Sequence, residues 1–191
     1  MGVLPRFEFR YCRKPGESGI VTPRIKVGET RVTGLKAELI TPFVTGTKEV
    51  FETMAGLKIR RKAIYLKSNC LMYGDISGII GLSGPTTGTC AISLPEGLAV
   101  RIIESLLGEP LGDNSARAEV NDGVGELINM IAGRAKTLLS STTYHFDITL
   151  PTIISGKNHE FFQRKGTHCV VVVFETEHNE SFTLDVAIAP R

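Results

Sequence analysis

An α+β fold, two long helices and a shorter one on an antiparallel or mixed sheet, is what this sequence predicts. Three observations carry that expectation. Helix-periodic stretches alternate with strand-like runs that come in hairpin pairs, not with the single strands a parallel sheet would need. Both hairpins are turned by short polar segments, around Gly84-Pro85 and across Glu177 to Glu180. The chain has 191 residues, 42% of them hydrophobic, and that length can bury a single core without staples.

The elements follow in order. The folded domain is expected over 35–191, opening near Leu35. Thr41-Pro42 reads as a helix start, and Phe43, Val50, Phe51 and Met54 recur at helical spacing until Gly56. Lys58 to Leu66 reads as a strand. Asp75 to Ser83 and Thr87 to Leu94 form the first hairpin. Ser93 and Glu96 have the spacing of a capping box, and Leu98, Ile102 and Leu106 then mark a helix ending at Gly108. A long helix runs from about Ser115 to Leu139. His145 to Ile154 reads as a strand whose Pro151 makes it an edge or bulged one. His168 to Glu175 and Ser181 to Ala189 close the domain as the second hairpin.

Composition excludes several classes. Net charge is +2 and the apolar share is high, so the chain is not a disordered segment. The longest apolar run, Cys169 to Phe174, has six residues, against about 20 for a membrane helix. No apolar stretch follows Met1 as in a signal peptide, so a cytoplasmic location is expected. The cysteines at 12, 70, 90 and 169 and the histidines at 145, 159, 168 and 178 show no metal-ligand spacing. Free thiols in a reducing compartment fit them better. The glycines at 74, 78, 81, 84 and 88 lack the Gly-Lys-Ser/Thr of a phosphate loop and read as close packing or bulges in strands.

Residues 1–34 differ from the rest. Seven Lys/Arg stand against three acids, punctuated by Pro5, Pro15, Gly16, Gly19 and Pro23. They form a basic N-terminal extension. Dispersed charges without interleaved aromatics argue against nucleic acid as its partner.

An internal echo links the two long helices. Sliding the chain by 77 residues places Gly46 to Gly56 on Gly123 to Gly133, with Gly46/Gly123, Glu49/Glu126, Ala55/Ala132 and Gly56/Gly133 identical. Two pseudo-repeats are therefore expected.

The chemistry is carried by the second long helix. On a wheel, Val120, Val124, Leu127, Ile128, Ile131, Ala135 and Leu138 share one broad face. Asp122, Glu126, Asn129, Gly133 and Lys136 share the opposite face, so Glu126 and Asn129 are neighbours on one ridge. A solvated surface would explain a glutamate. It does not explain a mid-helix asparagine, or Gly123, Gly125 and Gly133 in the same helix, since each type weakens a helix. Gly125 and Gly133, flanking the pair, are expected to let another molecule come close.

Asp122-Gly-Val-Gly-Glu126-Leu-Ile-Asn129-Met-Ile-Ala-Gly-Arg-Ala-Lys136, followed by Asp147-Ile-Thr-Leu-Pro151-Thr-Ile-Ile-Ser-Gly156, resembles the CheC/CheX/FliY family of chemotaxis phosphatases. The family pattern is Asp or Ser, three residues, Glu, two residues, Asn, then Pro about 22 residues on. Asp122, Glu126, Asn129 and Pro151 match it, with a final gap of 21. The resemblance runs from about Leu35 to Ala189.

It implies removal of the phosphoryl group from the aspartyl phosphate of a CheY-like response regulator. Asn129 would orient the attacking water and Glu126 would pair with the regulator's lysine. Asp122, Gly125, Gly133 and Lys136 would contact the partner. No cofactor of the chain's own is implied; Mg²⁺ is expected in the partner. A CheX-like homodimer through the sheet is also implied, and the apolar run Val170 to Phe174 is compatible with it. On the first helix Glu52 stands where Asn129 stands, and Lys48 where Gly125 stands, so one active ridge per chain is expected. The alternative is a non-catalytic regulator-binding module of the flagellar-switch type, though such domains lack the Glu/Asn pair.

Overall fold

A computed structural model describes residues 37–112, 116–163 and 167–189, all within the unit Arg31–Arg191. The basic extension expected over 1–34 lies outside the described residues. Three helices, α1 (Ala37–Met54), α2 (Glu96–Leu107) and α3 (Ala116–Leu139), accompany seven strands. The strands are β1 (Ile59–Leu66), β2 (Ile76–Ser83), β3 (Gly88–Leu94), β4 (Asp147–Ile148), β5 (Thr152–Ser155), β6 (His168–Thr176) and β7 (Ser181–Ile188). They form one sheet in the order β1-β6-β7-β3-β2-β4, with β5 also on β2. Every pairing between strands is antiparallel, which settles the antiparallel-or-mixed alternative.

From one edge the order is β1, β6, β7 and from the other the β4/β5 edge, β2, β3, the two runs meeting where β7 pairs β3. In sequence, α1 precedes β1 to β3 and α3 precedes β4 to β7. The two helices aligned by the 77-residue shift thus each precede one consecutive set of the sheet's strands.

One face of the sheet carries the main core. Ile80, Ile92, Leu94, Val172, Phe174, Phe182, Leu184 and Val186 pack there with Phe43 and Phe51 of α1, Leu98 and Ile102 of α2 and Leu127, Ile128 and Ile131 of α3. Phe51 stacks on Phe182 at 4.7 Å between ring centroids, and Phe43 stacks on Phe146 at 5.6 Å. Gly78 brings α3 close: a methyl there would meet Val124 and Ile128 at 3.1 Å. The alternation of strand side chains sends a polar set to the other face. Lys67 pairs with the buried Asp185 there, and Ser77 Oγ bonds Ser93 Oγ and His159 Nε2, each at 2.7 Å. Burial pushes the Asp185 carboxyl above its ordinary range, with Lys67 opposing the shift.

Four sequence expectations change. Helix α1 runs through Thr41-Pro42 from Ala37, so Pro42 lies inside it and not at its start. The cost is one backbone donor toward Glu38; the Thr41 hydroxyl donates to the Ala37 carbonyl at 2.8 Å. The capping box does not form, because Ser93 is committed to Ser77 within the sheet. Asp75 Oδ2 instead accepts from the Glu96 N–H at 3.1 Å. The strand expected over His145 to Ile154 splits into β4 and β5 around Thr149-Leu150-Pro151. Finally, Val170 to Phe174 lies between β1 and β7, with Val173 alone only partly buried, so this run offers no dimer surface.

Candidate functional site

Helix α3 lies along the β4–β5 edge, and three contacts set their alignment. Ser155 Oγ donates to Asn121 Oδ1 at 2.7 Å. A methyl at Gly125 would meet the Pro151 ring and Ile153 at 3.6 Å. Lys136 Nζ pairs with Asp147 Oδ1 at 2.8 Å. The chain therefore descends from 155 to 147 as the helix climbs from 121 to 136. At about 100° per residue, Asn129 lies within about 40° of both Gly125 and Lys136. Thr149-Leu150-Pro151 is thus the stretch level with Asn129 along the helix axis.

On that helix Asp122 and Glu126 are exposed, and Asn129, Gly133 and Lys136 are partly exposed. The face predicted as a ridge is the face turned to solvent. The side chains of Glu126 and Asn129 make no hydrogen bond or ion pair among the described residues, although several other polar groups of α3 do. Asn121 is held by Ser155, Arg134 by Glu49 and Lys136 by Asp147. With those three side chains held internally, the Glu126 carboxylate and the Asn129 amide, with Asp122 one turn earlier, are left free to meet something else. The pair contains no activated nucleophile. It can accept from a cation and can hold a water by donating and accepting at once.

The flanking residues divide. A methyl at Gly133 would meet nothing within 4 Å, so that position opens the ridge beyond Asn129. Gly125, expected on the open ridge, is buried beneath Pro151 and Ile153. The Gly123 position is filled from α2, where a methyl would meet Ile103 Cδ1 at 2.5 Å. Helix packing, not partner access, requires that glycine. Lys136, expected among the partner contacts, clamps Asp147, and its hydrogen bond holds that carboxyl below its ordinary range.

Sequence reasoning passed over Thr149, whose hydroxyl accepts from the Gly81 N–H at 2.9 Å while its own N–H donates to the Gly81 carbonyl at 3.0 Å. The available signal was Gly81 itself: a methyl there would meet Thr149 Cγ2 at 2.9 Å. Among the described residues no group of His, Cys, Asp or Glu is arranged to hold a metal, and no helix is long and apolar enough to cross a membrane.

The model of the chemotaxis phosphatase CheX family matches residues 76–175, just over half of the chain, spanning Glu126, Asn129 and Pro151. The chain belongs to the CheX family. A curated relative, the CheY-P phosphatase CheX of Thermotoga maritima, is 23% identical over 124 residues, covering 65% of this chain and 79% of its own length. Among solved structures, a CheC-like superfamily protein from Shewanella sp. PV-4 is 34% identical with a TM-score of 0.73, covering 82% of this chain and all of that one. The CheX of a CheX–CheY–BeF3–Mg²⁺ complex from Borrelia burgdorferi is 26% identical with a TM-score of 0.68, covering 80% of this chain and 98% of that one. The CheX-family chain thus shares its α+β fold with CheX and CheC-like proteins.

Proposed function

We propose that this chain hydrolyses the aspartyl phosphate of a CheY-like response regulator. The observation that carries the reading is the pair Glu126 and Asn129, free of internal partners on a solvent-facing ridge that Gly133 leaves open. The family supports the reaction class. The regulator is supported by the named activity of the Thermotoga relative and by the complex that contains a CheY.

An aspartyl phosphate is an activated acyl phosphate, so the chemistry needs little beyond placement and charge neutralisation. Water attacks phosphorus, the bond from phosphorus to the aspartyl oxygen breaks, and inorganic phosphate and a free carboxylate leave. Mg²⁺ in the regulator would screen the phosphoryl oxygens. Asn129 would hold the water in line through its carboxamide, adding no charge beside the phosphate. Glu126 would pair with the regulator's lysine and fix the helix against the partner. Asp122, one turn earlier, adds a weaker docking charge.

The test is the decay of a phosphorylated CheY-type regulator in the presence of substoichiometric chain. Asn129→Ala should lose most of the acceleration while retaining binding to the beryllofluoride-loaded regulator. Undiminished turnover by that variant overturns the mechanism. Stoichiometric protection of the phosphate, in place of turnover, would favour a binding module.

A further inference from the structure

We propose that Leu150 is an apolar anchor for the response regulator, presented beside Asn129 on a rigid ledge made by Thr149, Leu150 and Pro151. The proposal rests on the phosphatase reading and names a docking residue for the same site.

The exposed apolar side chains of this fold differ in how they are held. Met54 and Leu107 end their helices, and Leu66 ends a strand. Leu150 is 88% exposed, the most exposed large hydrophobic side chain described. Yet its backbone is fixed on both sides. Thr149 exchanges two hydrogen bonds with Gly81 of β2, and Pro151 sits in contact with Gly125 of α3. Beyond the ledge, the β5 register on β2 resumes at Thr152↔Ile79. A single exposed leucine is unremarkable on a mobile loop. Held on a braced interruption of an edge strand, it has little freedom to lose when covered, which favours binding.

Its place gives the occupant. The alignment of α3 with residues 147–155 sets residue 150 level with Asn129 along the helix axis, on the sheet edge beside the polar pair's helix. The solvent-facing side of α3 around that pair offers Asp122, Glu126, Asn129 and Gly133, none of which supplies apolar area. A transient complex held by two carboxylates and one amide would be weak. An apolar contact at the rim, excluding water from the ion pair, supplies what the helix lacks. Pro151 braces the ledge from below, which gives a physical role to the proline that follows the Glu/Asn pair in sequence.

The experiment compares Leu150→Ala and Leu150→Asp with Leu107→Ala, an exposed leucine on α2. Full-length chain is assayed with a CheY-type regulator that the wild type dephosphorylates. Leu150→Ala should raise the half-saturating regulator concentration about ten-fold with kcat nearly unchanged, and Leu150→Asp should raise it further. Leu107→Ala should leave both values alone. Binding to the beryllofluoride–Mg²⁺ regulator should weaken in parallel. Unchanged values for both Leu150 variants, in a preparation where Asn129→Ala is inactive, overturn the anchor and leave the phosphatase reading standing. Loss of self-association with unchanged turnover would make Leu150 a contact between copies of this chain and also overturns it. Failure to hydrolyse any regulator phosphate removes both readings.

Discussion

Residues 46–56, at the end of α1, align with 123–133 of α3 at four identical positions, yet those positions do different things. Glu49 of α1 is tied to Arg134 of α3, while Glu126 of α3 has no internal partner. The glycines diverge as well. Gly46 admits the α3 backbone and Arg134, where a methyl would meet Ile131 O at 3.1 Å. Its counterpart Gly123 admits Ile103 of α2. Gly56 follows the end of α1 with φ +61, a left-handed value that favours glycine, whereas Gly133 lies inside α3 with open space in front of it. Two helices can keep identical residues at aligned positions and put them to different uses, because the surroundings of each decide whether a side chain is used internally or left available.

The contrast can be broken in graded ways. The largest effect belongs to Asn129→Ala, which should lower regulator dephosphorylation about 100-fold while binding is kept, measured by single-turnover decay. Next is Gly133→Ala. It should stabilise α3 by about 0.5–1 kcal/mol yet slow turnover several-fold, because the methyl lies where the partner approaches. Its aligned partner, Gly56→Ala, should instead destabilise by about 1 kcal/mol through the left-handed backbone, with kcat unchanged. Urea titrations beside the turnover assay separate these signs. Glu52→Asn, which restores the Glu-x-x-Asn spacing on α1, should create no second site, since Glu49 remains paired to Arg134 and Lys48 remains in place. A chain doubled in activity by Glu52→Asn would end the distinction between the helices.

The smallest effect is on the pair itself. The Arg134 guanidinium beside Glu49 holds that carboxyl below its ordinary range. A lowered carboxylate contributes stability that is present above its unfolded value and is lost as pH falls through the folded one. Glu49→Gln should therefore be slightly less stable than wild type at neutral pH, with the gap closing under acid conditions. Both groups are well exposed, so the gap is small.

The Glu126/Asn129 ridge was legible because helical periodicity alone places both residues opposite the apolar stripe, and α3 is long enough to make that stripe unambiguous. The three glycines were legible as anomalies but not as roles. Only tertiary contacts show that Gly123 accommodates Ile103, that Gly125 sits under Pro151 and that Gly133 faces open space. The capping box failed for a related reason: Ser93 has a stronger claim on it from Ser77 across the sheet than from the adjacent helix. The pairing of Arg134 with Glu49, remote in sequence, is likewise set by the packing of α1 against α3 and not by either helix alone.

What the sequence by itself determined is whatever depends on neighbours a few residues away: the helices, the hairpins, and the side of α3 that carries a carboxylate and an amide. What the tertiary structure decided is which of those polar groups remain unspent. That depends on residues far away in sequence, such as Asp147 for Lys136 and Glu49 for Arg134, because a charged side chain acts on a partner only when the fold has not already supplied its counterion.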